Sequence, residues 1–481
     1  MRNAALIALL AASMFARADD VMLLAPASPT RPWHIPTMTP STETVATESD
    51  SLVDPGKEYD LPALIDLAQR INPWTREAWE RARQAALAVG LVESTYLPQI
   101  SAEALGGYQR TPLPIPSTLI PKGYFTSDTR ELVPSLVVKW LLFDFGRRDH
   151  AEQAARESSF VANVAFTGAH QKLIFAVSRA YYRYGAARGK LRAAEKAMRT
   201  AEIDRDAVQA RRANGLATTV EVAKAQRQVA QARFNAARAN GVERTAYATL
   251  LADVGVAPTI EIRIAADDSA GLPTVPVETL SRQVAQALAS RPDILAGLGK
   301  QRAAQATVEK ERAEHRPTVA LLAQAYQNIG ALSSDGSPYS HVNKPGGALL
   351  IQFSMPLFDG HRRDTQIAIA RSEEAAASDQ IDAARHAAAK EVAEAYFTLT
   401  TAIAEHEAAV ALVEAARTAY AGGLESYRRG VGTYTSLTED ENALVQAETE
   451  LEDASANVRT AAAALALATG QIGSGERGAR Q

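Results

Sequence analysis

Between Leu173 and Val208 the apolar and small residues of this chain fall at alternating steps of four and three. The series is Leu173, Val177, Ala180, Tyr184, Ala187, Leu191, Ala194, Met198, Ala201 and Val208, interrupted only at Arg205. Such spacing draws one stripe down a helix and is the seam of a coiled coil. Ala388, Val392, Ala395, Leu399, Ala402, His406, Ala409, Val413, Ala416, Tyr420 and Gly423 draw it again. Both seams are rich in Ala, so neighbouring helices are expected to approach closely. The stripes predict helices over 147–214 and 362–429, each about 100 Å long at about 1.5 Å per residue. Gly215 and Gly430 end them, because Gly takes the left-handed cap conformation. Return helices are expected over 219–254 and 434–469, and shorter ones over 61–96 and 279–315, broken near Pro73 and Pro292.

Between the helices the period changes to two. Ile100, Ala102, Ala104, Gly106 and Tyr108 alternate with Ser101, Glu103 and Gln109; Leu136, Val138, Trp140 and Leu142 alternate with Val137 and Lys139. Val319, Leu321, Ala323 and Ala325 oppose Gln324, and Leu349, Ile351, Phe353 and Met355 oppose Gln352 and Ser354. These read as strands of about ten residues in two β-hairpins, over 99–143 and 318–358. Pro112, Pro114, Pro116, Pro121, Pro338 and Pro345 are expected at the hairpin tips. Tyr108, Trp140, Phe143, Tyr326, Phe353 and Phe358 are placed at or near strand ends, where aromatic belts of membrane barrels occur; alternation alone equally permits the aromatic core of a soluble sheet.

The order of elements occurs twice. Phe143-Asp144, Arg147-Arg148, Ala180-Tyr181, Gly215 and Gly255 all recur 215 residues later, at Phe358-Asp359, Arg362-Arg363, Ala395-Tyr396, Gly430 and Gly470. Pro73 and Pro98 recur 219 residues later, at Pro292 and Pro317. The second copy is therefore shorter somewhere before its Phe-Asp, as a surface loop tolerates. The repeats span 59–258 and 278–470, joined by a linker at 259–277 and followed by a tail at 471–481.

Composition narrows the setting. Lys plus Arg total 51 against 55 Asp plus Glu, a formal charge of -4, which gives no reason to expect a nucleic-acid partner. The absence of cysteine excludes disulfides, thiolate metal sites and a Cys nucleophile. Arg2, the apolar run from Ala4 to Phe15 and Ala16-Arg17-Ala18 have the form of a cleaved secretory signal over 1–18. The stretch 19–58 carries Pro26, Pro29, Pro32, Pro36, Pro40 and Pro55 and reads as an extended linker. No later stretch looks like a membrane-spanning helix, so an exported chain of this kind enters a membrane only with strands. Four strands cannot close a lipid-exposed barrel, because two open edges would leave backbone groups unpaired in hydrocarbon. Three copies would supply twelve strands above a tube of long helices.

The run Leu-Leu-Phe-Asp-Phe-Gly-Arg-Arg at 141–148 and its echo Pro-Leu-Phe-Asp-Gly-His-Arg-Arg at 356–363 carry a resemblance. So do the tip sequences Asn214-Gly215-Leu216-Ala217-Thr218 and Tyr427-Arg428-Arg429-Gly430-Val431-Gly432-Thr433. Together with the duplication, they make the chain similar to TolC-like outer membrane efflux proteins, from about Asp60 to Gly470; it also looks somewhat like outer-membrane components of fusaric acid resistance exporters. The resemblance implies an α+β membrane protein in the outer membrane, with a large periplasmic portion. Three chains would share a 12-stranded β-barrel above an α-barrel of long antiparallel coiled-coil helices. Its partners would be two further copies of itself, outer-membrane lipid, a periplasmic adaptor and an inner-membrane pump. It implies adaptor contacts at Gly215, Leu216 and Thr218 and at Gly430, Val431 and Thr433. It further implies a periplasmic gate for which Tyr427 matches the family Tyr, Arg428 and Arg429 are nearby bases, and Glu439 and Asp440 are carboxylates on the return helix. Ser436 stands where the family usually has Asp.

The implied function is passive: an exit duct for small toxic organic compounds, with no enzyme activity and no cofactor. The alternatives are the duct of a type I protein secretion system or a soluble periplasmic coiled-coil scaffold. No catalytic constellation opposes this reading. His406 lacks a second His three or four residues away and reads as a packed or lumen-facing helix residue rather than a metal ligand. Gly185-Ala-Ala-Arg-Gly189-Lys190 is one residue short of a phosphate loop between its glycines, and Leu191 stands where Ser or Thr is needed.

Overall fold

The computed structural model describes residues 53–119, 121–265, 271–276 and 278–472. The signal segment 1–18, most of the Pro-rich stretch and the end of the tail lie outside the described residues. Chain order is β1 (Glu58–Tyr59), α1 (Leu61–Ile71), α2 (Pro73–Glu93), β2 (Gln99–Pro114), β3 (Tyr124–Phe143), α3 (Arg147–Ala213) and α4 (Thr219–Val254). The second half follows as β4 (Arg263–Ile264), α5 (Leu280–Ser290), α6 (Pro292–Ala313), β5 (Thr318–Ser334), β6 (Ser340–Ser354), α7 (Arg362–Arg428) and α8 (Tyr434–Ala468).

Local chemistry sets these boundaries. Asp60 and Asn72 cap α1 and α2 by accepting from Ala63 N and Trp74 N, each at 2.9 Å. Pro73 and Pro292 occupy the first positions of α2 and α6, where a missing N–H costs nothing. α3 and α7 both run 67 residues, about 100 Å. Of the two seams, Leu173, Val177, Ala180, Tyr184, Ala187, Ala194, Ala201 and Val208 are buried in α3, and Ala388, Val392, Leu399, Ala402, Ala409, Val413 and Ala416 in α7. Each long helix packs against its own return helix, and α3 also meets α2, α6 and α8. The two repeats are therefore joined along α3 and α8. Small residues allow the close approach: a Cβ on Gly299 of α6 would lie 2.7 Å from Val161 of α3.

The four long strands form one antiparallel sheet in the order β2-β3-β5-β6, and the short β1 and β4 pair in parallel. Strand lengths are 16, 20, 17 and 15 residues, longer than the expected ten or so. Three of the prolines expected at the tips lie instead inside strands. Pro112 and Pro114 belong to β2 and Pro345 to β6, the edge strands, where one side of the backbone has no partner within the sheet. Pro134 stands in the central β3, and the β3–β5 pairing skips from Leu132↔Ile329 to Ser135↔Tyr326 around it, since Pro has no N–H to donate.

Direct cross-strand pairs share a face. One face holds Ile100, Ala102, Leu136, Val138, Trp140, Leu321, Ala323, Leu349, Ile351 and Phe353; the other holds Ser101, Glu103, Glu131, Lys139, Gln324, Asn328 and Gln352. Trp140, Phe143 and Phe353 are exposed at one end of the apolar face, and Tyr108 at the other. Tyr108 pairs with Arg130, ten residues along β3 from Trp140. That is about 34 Å along the strand and about 25 Å along a barrel axis for strands tilted about 40°, the height of a lipid-facing band. Tyr326 departs from the expectation. It sits in mid-strand opposite Ser135 and Gly346, on the polar face, and its ring lies so close over Gly346 that no Cβ fits there. Phe358 lies beyond the end of β6 at Ser354, its ring 5.8 Å from that of His361.

The repeated Phe-Asp…Arg-Arg motif fastens sheet to helix. Buried Arg148 donates to Asp144 Oδ2 at 3.0 Å and to the carbonyls of Thr95, Leu141 and Leu142 at 3.0, 2.8 and 3.2 Å; it also stacks 4.6 Å over Tyr96. In the second copy Arg363 donates to Asp359 Oδ2 at 2.6 Å and to the carbonyls of Glu314 and Pro356, both at 3.3 Å.

Candidate functional site at the helical hairpin tips

The two turns share one construction. Leu216 N donates to Arg211 O at 2.8 Å and Gly215 N to Arg212 O at 2.9 Å; Val431 N donates to Ser426 O and Gly430 N to Tyr427 O, each at 3.0 Å. This paired closure needs a left-handed residue, supplied by Gly215 (φ 75°) and Gly430 (φ 80°). It leaves Leu216 and Val431 69% and 81% exposed at matching positions. Thr218 then caps α4 in a reciprocal box with Glu221, whereas Thr433 caps α8 by accepting from Ser436 N alone. The residues expected to meet an adaptor thus stand at the ends of two rigid hairpins, with their apolar side chains uncovered.

Just above the turns the two repeats meet in a small core of Val208, Val222, Ala225 and Tyr434, with Ala217 and Tyr427 packed against it. The Tyr427 and Tyr434 rings are 5.8 Å apart, and the Arg211 guanidinium lies 4.8 Å over Tyr427. Lys224 Nζ donates to Thr435 Oγ1, and Gln228 Nε2 to Asn442 Oδ1, each at 2.9 Å. The Arg211, Lys224 and Gln228 contacts link the first hairpin to the second, while the Tyr427–Tyr434 pair ties α7 to α8 within the second.

The residues expected to form the gate divide accordingly. Tyr427 is half-buried in this joint, and Arg428, though exposed, lies near enough to favour the charged form of Asp204 on α3. Arg429 is exposed and pairs within its own helix with Glu425 Oε1 at 2.7 Å. Glu439 is exposed; Asp440 is half-buried and lies against Gly423 of its own hairpin, leaving no room for a Cβ. The deeply placed carboxylate is their neighbour Glu441, 4% exposed. Both Glu441 carboxylate oxygens, Asp204 Oδ2 and the Tyr434 hydroxyl have no hydrogen-bond partner among the described residues. Burial, and then the charge of Asp204, push Glu441 up to about 7. Burial also raises Asp204, Tyr420, Tyr427 and Tyr434 above their ordinary values.

Asp204, Tyr434 and Glu441 were not singled out from the sequence. Only the break at Arg205 signalled that the seam of α3 changes character there. Among the described residues no His/Asp/Glu group could hold a metal ion, and no helix is long and apolar enough to cross a membrane.

Two stretches, residues 64–256 and 284–471, each match the family model described as outer membrane efflux protein, one per repeat. The chain is 33% identical over 418 residues to protein CyaE of Bordetella pertussis, covering 85% of this chain and 83% of that protein. It is 27% identical over 395 residues to the outer membrane efflux protein BepC of Brucella suis, covering 81% and 80%. The fold matches the outer membrane protein VceC of Vibrio cholerae with TM-score 0.67 at 21% identity, over 85% of this chain and 96% of that one. The chain belongs to the outer membrane efflux protein family: it is an outer-membrane channel subunit with a large periplasmic helical tunnel, it works with adaptor proteins and inner-membrane pumps, and it is not an enzyme.

Proposed function

We propose that three copies of this chain form the exit duct of a tripartite efflux assembly that carries small toxic organic compounds out of the cell. The observation that carries this reading is the pair of hairpin ends. Leu216 and Val431 are exposed at equivalent positions on stiff supports, which suits repeated docking of an adaptor's own helical hairpins around a ring. Gly215 and Gly430 keep the turns slim enough for such approach, and Thr218 and Thr433 hold the return helices in place. The sheet supplies a second support, since its apolar face has the height of a lipid band and its edge strands β2 and β6 are free to pair with neighbouring copies. The duct itself breaks no bonds, so its work is to provide a wet path and to close it when undocked. Efflux of small molecules is favoured over protein export because the relative BepC carries efflux in its name.

Deleting the protein and measuring sensitivity to a panel of antibiotics and aromatic acids, alongside secretion of large proteins, tests the cargo. Hypersensitivity to the small compounds with normal protein secretion is expected. Unchanged resistance with lost protein export would contradict the proposal.

A further inference from the structure

The contact between α3 and α8 has an electrostatic gradient. Lys190 Nζ pairs with Asp453 Oδ2 at 2.5 Å and Lys196 Nζ with Glu448 Oε1 at 3.2 Å. Basic residues of the first repeat thus face acidic residues of the second along the shaft. The helices run antiparallel, and each step toward the tip on α3 moves one step back on α8. Continued in that register, the pairing sets Asp204 opposite Glu441. The attractive zipper therefore ends in two like charges, at the level where the hairpins converge on the tip.

The surroundings do little to relieve the pair. From α3, Arg211 is engaged over the Tyr427 ring, and Arg205 is turned to its neighbour Asp206 at 2.7 Å. From α4, Glu221 is occupied in the Thr218 capping box, and Arg227 acts on Tyr434. From α7, Tyr420 and Tyr427 bring neutral hydroxyls, and Arg428 attracts Asp204 from an exposed position. From α8, Tyr434 is 2% exposed and its hydroxyl unpartnered; Asp440 turns to Gly423. Among the described residues both oxygens of Glu441 remain without a hydrogen-bond donor. A buried carboxylate facing another carboxylate without a donor is unstable as an anion. A single proton shared by the pair removes the repulsion and supplies the missing hydrogen bond.

We propose that Asp204 and Glu441 form a proton-binding site at the joint between the repeats: a shared proton holds α8 against α3 and keeps the tip closed, and its loss drives the two hairpins apart. The Tyr cluster contributes an apolar, low-dielectric wall that makes the charged state costly. The titration belongs to the pair rather than to either residue. Glu441, pushed up to about 7, places the transition within the range of periplasmic pH.

The test uses the whole chain as its trimer. In planar bilayers the wild-type conductance is expected to rise between pH 6 and pH 8, across which a site titrating near 7 loses its proton about tenfold. Glu441→Gln, which keeps the size and the neutral form, should stay at the low-conductance level throughout, and Asp204→Asn should flatten the rise. A second readout does not depend on conduction. The chain has no cysteine, so spin labels at Ile203→Cys and Ala443→Cys report the α3–α8 separation in detergent. That separation should widen with pH in the otherwise wild-type chain and stay constant with Glu441→Gln added. Only the conductance arm relies on the duct reading, so a widening without conductance would count against the duct and leave the joint standing. A pH-invariant separation, or one that responds to pH equally with Glu441→Gln, would overturn the proposal. So would closure by Ca²⁺ at pH 8 that Glu441→Gln abolishes, which would make the pair a cation site instead.

Discussion

Replacing Arg148 with Ala removes the one side chain that ties three backbone carbonyls and a carboxylate together where the sheet meets α3. Asp144 is 5% exposed and would be left as a buried anion with, among the described residues, only the backbone N–H of position 148, 3.0 Å away, as donor. The carbonyls of Thr95, Leu141 and Leu142 would lose their guanidinium donor at the same time. Breaking a buried pair from one side costs about 3–5 kcal/mol, and the stranded carbonyls keep the loss toward the upper end. Arg148→Lys should recover only part, because one ammonium cannot serve a fork of acceptors. Removing both charges in Asp144→Ala/Arg148→Ala should cost less than Arg148→Ala alone, since no anion is then stranded. The duplicated chain contains its own control. Asp359 is more exposed than Asp144 and keeps Arg362 Nε at 3.7 Å as a second partner, so Arg363→Ala should lose clearly less. Urea denaturation of the solubilised trimer gives the comparison. With Trp33, Trp74 and Trp79 replaced by Phe, Trp140 fluorescence reports locally, because its indole donates to Tyr96 O at 2.8 Å beside the motif. A loss below about 1 kcal/mol for Arg148→Ala, or a larger one for Arg363→Ala, would refute the account of the motif as a buried fastener.

Tyr434→Phe deletes a hydroxyl that has no partner among the described residues and keeps the ring; it should leave stability within about 1 kcal/mol of wild type or raise it, whereas Tyr434→Ala should cost about 3–5 kcal/mol by thermal unfolding. Gly299→Val should cost about 1–3 kcal/mol through overpacking, because the added carbons meet Val161 and Phe160; a neutral effect would mean that α6 and α3 are not in close contact. Glu441 titrates near 4.5 in the unfolded chain and about 7 in the folded one, so between those values the folded state binds the extra proton. Its contribution to stability should therefore be full below about pH 4.5 and fall by about 3 kcal/mol between there and about pH 7, levelling off above. The wild-type melting temperature should show this decline, and Glu441→Gln should not.

The long helices were legible because their seams repeat for some ten turns with a single break at Arg205 in α3, and because Gly215 and Gly430 end them by a rule that depends on backbone alone. The duplication was legible because Asp144, Arg148, Asp359 and Arg363 do the same job twice. Strand alternation assigned most faces, since Ile100, Val138 and Leu349 carry the apolar side in both hairpins. For Tyr326 aromatic character suggests an interface position, but strand parity decides otherwise: its neighbours Gln324 and Asn328 place it on the polar side. Pro112 and Pro345 read as breakers in sequence, whereas edge strands accept them. The joint at the tip was the least legible. Glu439, Asp440 and Glu441 are consecutive carboxylates, and only the register against α3 determines which one is buried. Asp204 lies just beside the one break in the α3 seam, and nothing in its own helix reveals that a carboxylate from α8, 237 positions on, stands opposite.

If these chains form the proposed duct, the joint between the two hairpins is its closed end and must part for passage. Lys224→Cys and Thr435→Cys replace two side chains that touch across this joint in a chain with no other cysteine, so a short bismaleimide can tie α4 to α8 specifically. Export of a small dye from cells carrying the tied trimer should stop, while the same cysteine pair without the reagent, and each single cysteine with it, should export normally. Undiminished export through the tied trimer would contradict the account.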